Sequence, residues 1–301
     1  MLYLSINTKF GDSLWFYVCR CIIHFIFTVL NIGLLLFMRK NQIGSTNATI
    51  LVKIQTTFDI LLNIIIPFLY CDIYEHFVNI HLARMYCYLW KSTSIFWYFL
   101  GLSLAIMILI SLDRFICIVF PFRYKTIPKL KLYPIIVLTF MFCNIIPSIN
   151  HIKDIIKGDL IIYNETTYTC KPINLSITAL VNIIISGILP VLCVIILNVI
   201  SVVILVRHAK SKIAKNMKKN TLSRKRLSIR FSVATAISIS FYCAIHVINL
   251  IFIIFGLYFH NRTEFIMYYL IFVNGFMTLI NPIVYMILFK NVRKFLFFFV
   301  K

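Results

Sequence analysis

Residues 14–38 carry one charged side chain, Arg20, and a long apolar run closed by a charged or Gly/Pro-marked break recurs along the whole chain. Runs of this kind fit the roughly 20 residues that a helix needs to cross about 30 Å of hydrocarbon. A spanning strand needs only about ten residues and alternates apolar with polar positions, whereas the runs here are continuous. Lipid offers the backbone no hydrogen-bond partners, so helices are the remaining solution. Composition agrees: 61% of the 301 residues are apolar and 13% are charged, against about 45–50% and 25% in soluble domains. That balance excludes a water-soluble enzyme, a disordered chain and a collagen-like fibre.

Helices are expected near 14–38, 47–72, 83–117, 132–150, 175–206, 227–257 and 264–288. A short interfacial helix should follow over 289–300, where Phe289, Phe295 and Leu296 alternate with Lys290, Arg293 and Lys294. The expectation is an all-α membrane protein: one seven-transmembrane bundle over 1–301, without internal repeat or separate soluble domain.

The formal net charge of +21 is unevenly placed. Loops 39–46, 118–131 and 207–226, the segment 289–301 and the adjoining helix ends hold 22 of the 30 Lys and Arg residues. Basic loops stay in the cytoplasm, which places the N-terminus outside and the C-terminus inside a plasma-membrane protein. The excess charge thus addresses membrane lipid, not nucleic acid. Seven of the nine acids fall on the outer side, as do the glycosylation sequons at Asn164, Asn174 and Asn261. No cleavable signal peptide is evident, and the first helix is expected to act as the insertion signal.

An ionisable group at mid-bilayer costs about 2.5–3.5 kcal/mol or more, and Asp59 occupies such a position, with Pro67 further along the same helix. Protonation, pairing inside the bundle and a functional role all remain open for it. Arg114 stands beside Asp113 at the inner rim, where the two can pair. Pro282 interrupts the last span and frees a carbonyl for Asn281 or water, so Tyr285 lies on a candidate swinging segment.

Together these positions resemble the rhodopsin-like (class A) G-protein-coupled receptors. Asp113-Arg114-Phe115 and Pro121 look like that family's D-R-Y-x-x-I-x-x-P with Phe for Tyr, and Asn281-Pro282-Ile283-Val284-Tyr285 matches N-P-x-x-Y. Asn31, Asp59 and Pro190 fill the family's first-, second- and fifth-helix positions. Departures mark a divergent member. The fourth helix lacks Trp, the sixth reads Phe241-Tyr242-Cys243-Ala244-Ile245-His246-Val247 in place of C-W-x-P, and Asn198 replaces a Tyr that faces the Arg.

The resemblance implies a receptor, with no catalytic residues, whose cytoplasmic cleft takes the C-terminal helix of a Gα subunit. Asp113, Arg114, Asn281, Pro282 and Tyr285 would serve activation and coupling. Asp59, Ser103, Thr278 and Asn281 would line a polar pocket that holds sodium in many relatives; Phe99 and Met277 replace polar residues there. Cys87 and Cys170 would form a disulfide. Phe96 stands where aminergic receptors carry an Asp, and Gly275 where opsins carry a Lys, which disfavours both classes. Pro67 and the 24-residue loop 151–174 resemble those of peptide receptors, making a peptide the leading ligand and a neuropeptide receptor the leading type.

Pocket candidates are Phe96, Trp97, Asn182, His246, Asn249, Tyr268 and Tyr269, although aromatic residues there also serve packing. Arg20 either pairs with Asp72 or snorkels, or offers an anion site to ligand. At the inner end of the sixth helix, 224–230 offers Arg114 like charge in place of an acid, so a weakly clamped resting state is expected. The alternative, a seven-span channel or transporter, lacks an inverted repeat and a line of ionisable groups through the bilayer.

Overall fold

The computed structural model describes residues 14–41, 45–69, 79–87, 94–120, 122, 124, 161–164, 167–170, 189–210, 219–258 and 263–300. Helix α1 spans Leu14–Lys40 and α2 Thr46–Leu69, close to the expected runs. The run expected at 83–117 is described as two segments, α3 at Ile80–Tyr86 and α4 at Ser94–Val119. Helices α5 at Leu189–Lys210, α6 at Lys219–Tyr258, α7 at Thr263–Leu288 and α8 at Lys290–Val300 follow. The expected helix 132–150 lies outside the described residues.

Helix α6 begins well before its expected start at 227. Hydropathy locates where a helix meets lipid, and the segment from Lys219 to Arg226 is too basic to register there. Its Lys, Arg and Leu residues are nonetheless good helix formers, so the helix continues out of the apolar zone. Ser45 caps α2, its hydroxyl accepting from the Ala48 amide at 3.2 Å.

The bundle is all-α, with one addition inside the 151–174 loop. Strands β1 (Ile161–Asn164) and β2 (Thr167–Cys170) form an antiparallel hairpin with Ile161 opposite Cys170 and Asn164 opposite Thr167. β-branched and aromatic residues on both sides of a short polar turn were the available signal.

The helices close into a ring. α1 packs on α2 and α7, α2 on α4 and α7, α4 on α5 and α6, and α6 on α5 and α7, while α8 lies against α7 and α1. Among the described residues, Val18–Lys40, Thr46–Leu69, Ile95–Val119 and Ile271–Leu288 are long and apolar enough to cross a membrane. Side chains such as Phe25, Phe68, Ile196 and Ile287 point outward and are exposed, the surface that lipid rather than water requires.

Two apolar clusters fill the interior. One, at the Arg114 end, gathers Met38, Leu51, Leu109, Phe231, Val284 and Tyr285. The other gathers Leu62, Ile66, Phe96, Tyr242, Ile271 and Met277. On α2 and α7, Asp59 and Asn281 sit between them.

Candidate functional site

Helix α2 carries Gln55, Asp59 and Asn63 at four-residue spacing, which places all three on one face. All three are buried, and Asp59 is 0% exposed. The Asp59 carboxylate accepts from Ser103 Oγ of α4 at 3.0 Å and from Asn281 Nδ2 of α7 at 3.2 Å. Gln55 donates to the Tyr242 hydroxyl of α6 at 3.4 Å. Three helices therefore meet at one carboxylate, and Gln55 ties a fourth to the same face of α2.

Thr278 departs from the expected set. Its hydroxyl donates to the Gly275 carbonyl at 2.7 Å and shares contacts with the Asn63 amide at 2.8 and 3.0 Å, so it reaches Asp59 only through Asn63. Asn63 also donates to the Asp59 carbonyl at 2.9 Å, and its Oδ1 lies 3.0 Å from His24 Nδ1. Asn31 bridges α1 and α7 by donating to the carbonyls of Phe27 and Thr278, both at 2.9 Å.

His24, fully buried on α1, occupies the space beside Gly275. A Cβ at position 275 would stand 2.4 Å from His24 Cε1 and 3.3 Å from Ile66 Cδ1. A side chain at position 275 would therefore require the imidazole to move. His24 Nε2 is buried without a hydrogen-bond partner among the described residues.

The second constellation lies at the other end of α4. Arg114 donates from Nε to Asp113 Oδ2 at 2.9 Å and pairs with the same carboxylate through its terminal nitrogen. That nitrogen also donates to Ser45 Oγ at 2.8 Å. The Tyr124 hydroxyl donates to Asp113 Oδ1 at 2.9 Å, and its oxygen lies 3.1 Å from Ser45 Oγ, whose own proton it can accept. Burial, then the Asp113 charge, pushes the Tyr124 phenol from 10.0 up to about 12, so it remains a donor throughout the physiological range.

The charge census had offered Arg114 only like charge from α6, and here the structure corrects it. Arg230 is exposed, while the adjacent Phe231 is buried with the Arg114 guanidinium 4.7 Å over its ring. A count of charges misses aromatic faces, which also attract cations. Tyr285 lies 6.1 Å from Phe231, and Phe289 lies 5.8 Å from Tyr285, centroid to centroid. Pro282, buried inside α7, precedes this stack. Gln55, Met107, Ile110, Thr235, Ser238, Asn281 and Tyr285 line a small cavity that runs from the Asp59 network toward the Tyr285 ring, with room for about one water.

Of the expected ligand residues, Phe96 is fully buried in the outer cluster, and its ring meets Trp97 at 5.3 Å. Arg20 lies 5.5 Å over the Phe272 ring of α7, and Asp72 is outside the described residues. Asn182 is outside them too, as are the side chains of His246, Asn249, Tyr268 and Tyr269. Cys87 is 2% exposed and is not among the free cysteines, and α3, which it caps, packs on β2, whose last residue is Cys170. Asn164 ends β1, whereas Asn174 and Asn261 are outside the described residues. Asn198 donates to the Val194 carbonyl at 2.8 Å on its own helix.

Sequence reasoning missed His24, Ser45, Gln55, Asn63, Tyr124 and Phe231. For Gln55 and Asn63 the signal was present: polar residues one turn to either side of an intramembrane Asp.

A ring of helices, four of them among the described residues long and apolar enough to cross a membrane, around a buried polar column with an Arg–Asp pair at one end fits a seven-transmembrane receptor. The chain belongs to the Srsx family of serpentine-type 7TM GPCR chemoreceptors, whose profile matches residues 22–295. No curated protein matches it. It is thus a multi-pass membrane receptor of a non-enzymatic family, and a divergent GPCR.

Proposed function

We propose that the protein signals in the rhodopsin-like manner: it sits in the plasma membrane with its N-terminus outside and passes extracellular ligand binding to a heterotrimeric G protein. The observation that carries this reading is the contact of Asp59 with Ser103 and Asn281, because it ties three helices to one buried carboxylate. Any movement of α7 must be felt by α2 and α4. Asp113, Arg114, Asn281, Pro282 and Tyr285 are the residues through which such movement would reach the G protein.

A peptide is the proposed ligand, supported by Pro67 inside α2 and by the hairpin in the 151–174 loop. The family's description as chemoreceptors favours a second reading, a small chemical cue. A Cys87–Cys170 disulfide would tether the hairpin to α3, and glycans on Asn164, Asn174 and Asn261 would mark the same face as extracellular. Mass spectrometry of non-reduced protein should find the two thiols joined; two free thiols would end that proposal.

Sodium at Asp59 finds two ligands suitably placed, the carboxylate and Ser103. Asn281, however, presents its NH₂, and Thr278 is engaged elsewhere. Exchange of sodium for choline should therefore leave the thermal midpoint unchanged, and a sodium-dependent rise would establish the ion.

The coupling itself is tested by nucleotide exchange on purified Gα, with the receptor in nanodiscs challenged by a peptide library and by a small-molecule panel. Peptide-driven exchange supports the leading reading. Exchange driven only by small molecules replaces the ligand class and keeps the coupling. No exchange, together with ligand-gated current in planar bilayers, overturns the receptor reading in favour of a channel.

A further inference from the structure

We propose that Phe231 is the residue that holds α6 against α4 in the resting receptor, by presenting its ring face to the Arg114 guanidinium. The inference rests on the signalling function above and names the latch that restrains it.

Guanidinium is planar, with five N–H donors around its edge and two flat faces. Asp113 and Ser45 occupy edge donors. A face is left for Phe231, at 4.7 Å from ring centroid to Cζ. Arg114 is 2% exposed and Phe231 0% exposed, so the contact is dry. Attraction between a cation and a ring is strongest where water is excluded. No acid lies between 219 and 258, the whole of α6, so the ring supplies the attraction that a carboxylate would otherwise supply.

The rings on α7 and just after it give the latch its release. Phe231 and Tyr285 lie at a 34° tilt, and Tyr285 and Phe289 at 37°. Tyr285 follows Pro282 within the same helix, so a change of bend there moves the ring that backs Phe231. Loss of that backing lets α6 leave. Departure uncovers Arg114 at the face where a G protein would bind.

The test uses the full-length receptor in nanodiscs, with agonist-free nucleotide exchange as one readout. A second readout is the distance between genetically encoded spin labels at Arg39 and Arg230, both exposed. Phe231→Leu keeps an apolar side chain and removes the ring. Phenylalanine bearing one, two and three fluorines at position 231 keeps shape and volume while draining the negative face.

Phe231→Leu should raise basal exchange on the order of tenfold and lengthen the label distance. The fluorinated series should do both in graded steps. A fluorinated series that leaves the distance unchanged overturns the latch, whatever the leucine variant does, because packing alone is blind to ring charge. If the distance lengthens in steps while no form, with or without agonist, exchanges nucleotide, the latch stands and the G-protein reading falls.

Discussion

Tyr124 fastens the residues around Arg114 from outside the spans, and its single hydroxyl donates to Asp113 and meets the Ser45 hydroxyl. Tyr124→Phe removes both contacts, one of them to a charged group, and should lower unfolding stability by about 1–3 kcal/mol. A thermal melt in detergent reads this as a lower midpoint at unchanged expression. Asp113→Asn removes the charge that Arg114 pairs with and should raise agonist-free nucleotide exchange severalfold, as expected from a coupling of about 1–3 kcal/mol. At this scale the sequence was legible where a motif or a membrane penalty singled out one residue: Asp59, Arg114 and Asn281 each announced themselves. Partners were harder to see. Asn63 and His24 meet across 39 positions of chain, and neither carries a charge to draw attention. Phe231 looked like one more apolar residue because nothing in a sequence says which cation will lie over its ring.

Helix α8 shows what an amphipathic element gains by docking. Val292 is fully buried and Phe295 meets Phe37 of α1 at 5.6 Å, while Lys290, Arg293 and Lys294 remain exposed. Phe37→Ala should therefore loosen α8 without unfolding the bundle. Hydrogen exchange across 290–300 should accelerate by roughly fivefold or more, the equivalent of about 1 kcal/mol of lost docking, while exchange in α2 stays unchanged. Equal acceleration in both segments would show that Phe37 supports the whole core instead. Element positions were largely readable because apolar runs must match bilayer thickness. Boundaries were less so: α6 extends through a basic segment that hydropathy passes over, and the hairpin at 161–170 is shorter than any window tuned to spans.

For the molecule as a whole, α1 is fixed to α7 by two polar fittings beside its apolar packing, Asn31 bonded to the Thr278 carbonyl and His24 against Gly275. Gly275→Ala should cost about 1–3 kcal/mol through overpacking, read as a lower thermal midpoint, because the new Cβ would stand 2.4 Å from the imidazole. His24→Ala in the same chain should restore much of that loss, and a double-mutant cycle should return a coupling of at least about 0.5 kcal/mol. Additive effects would mean that the first and seventh helices adjust independently. If they are coupled, the two positions work as ball and socket, one volume shared between residues 251 places apart in sequence. Neither can be altered freely while the other stays. A lineage placing a larger group at 275 would first have to shrink the histidine, and the order of those two steps is set by geometry before selection acts.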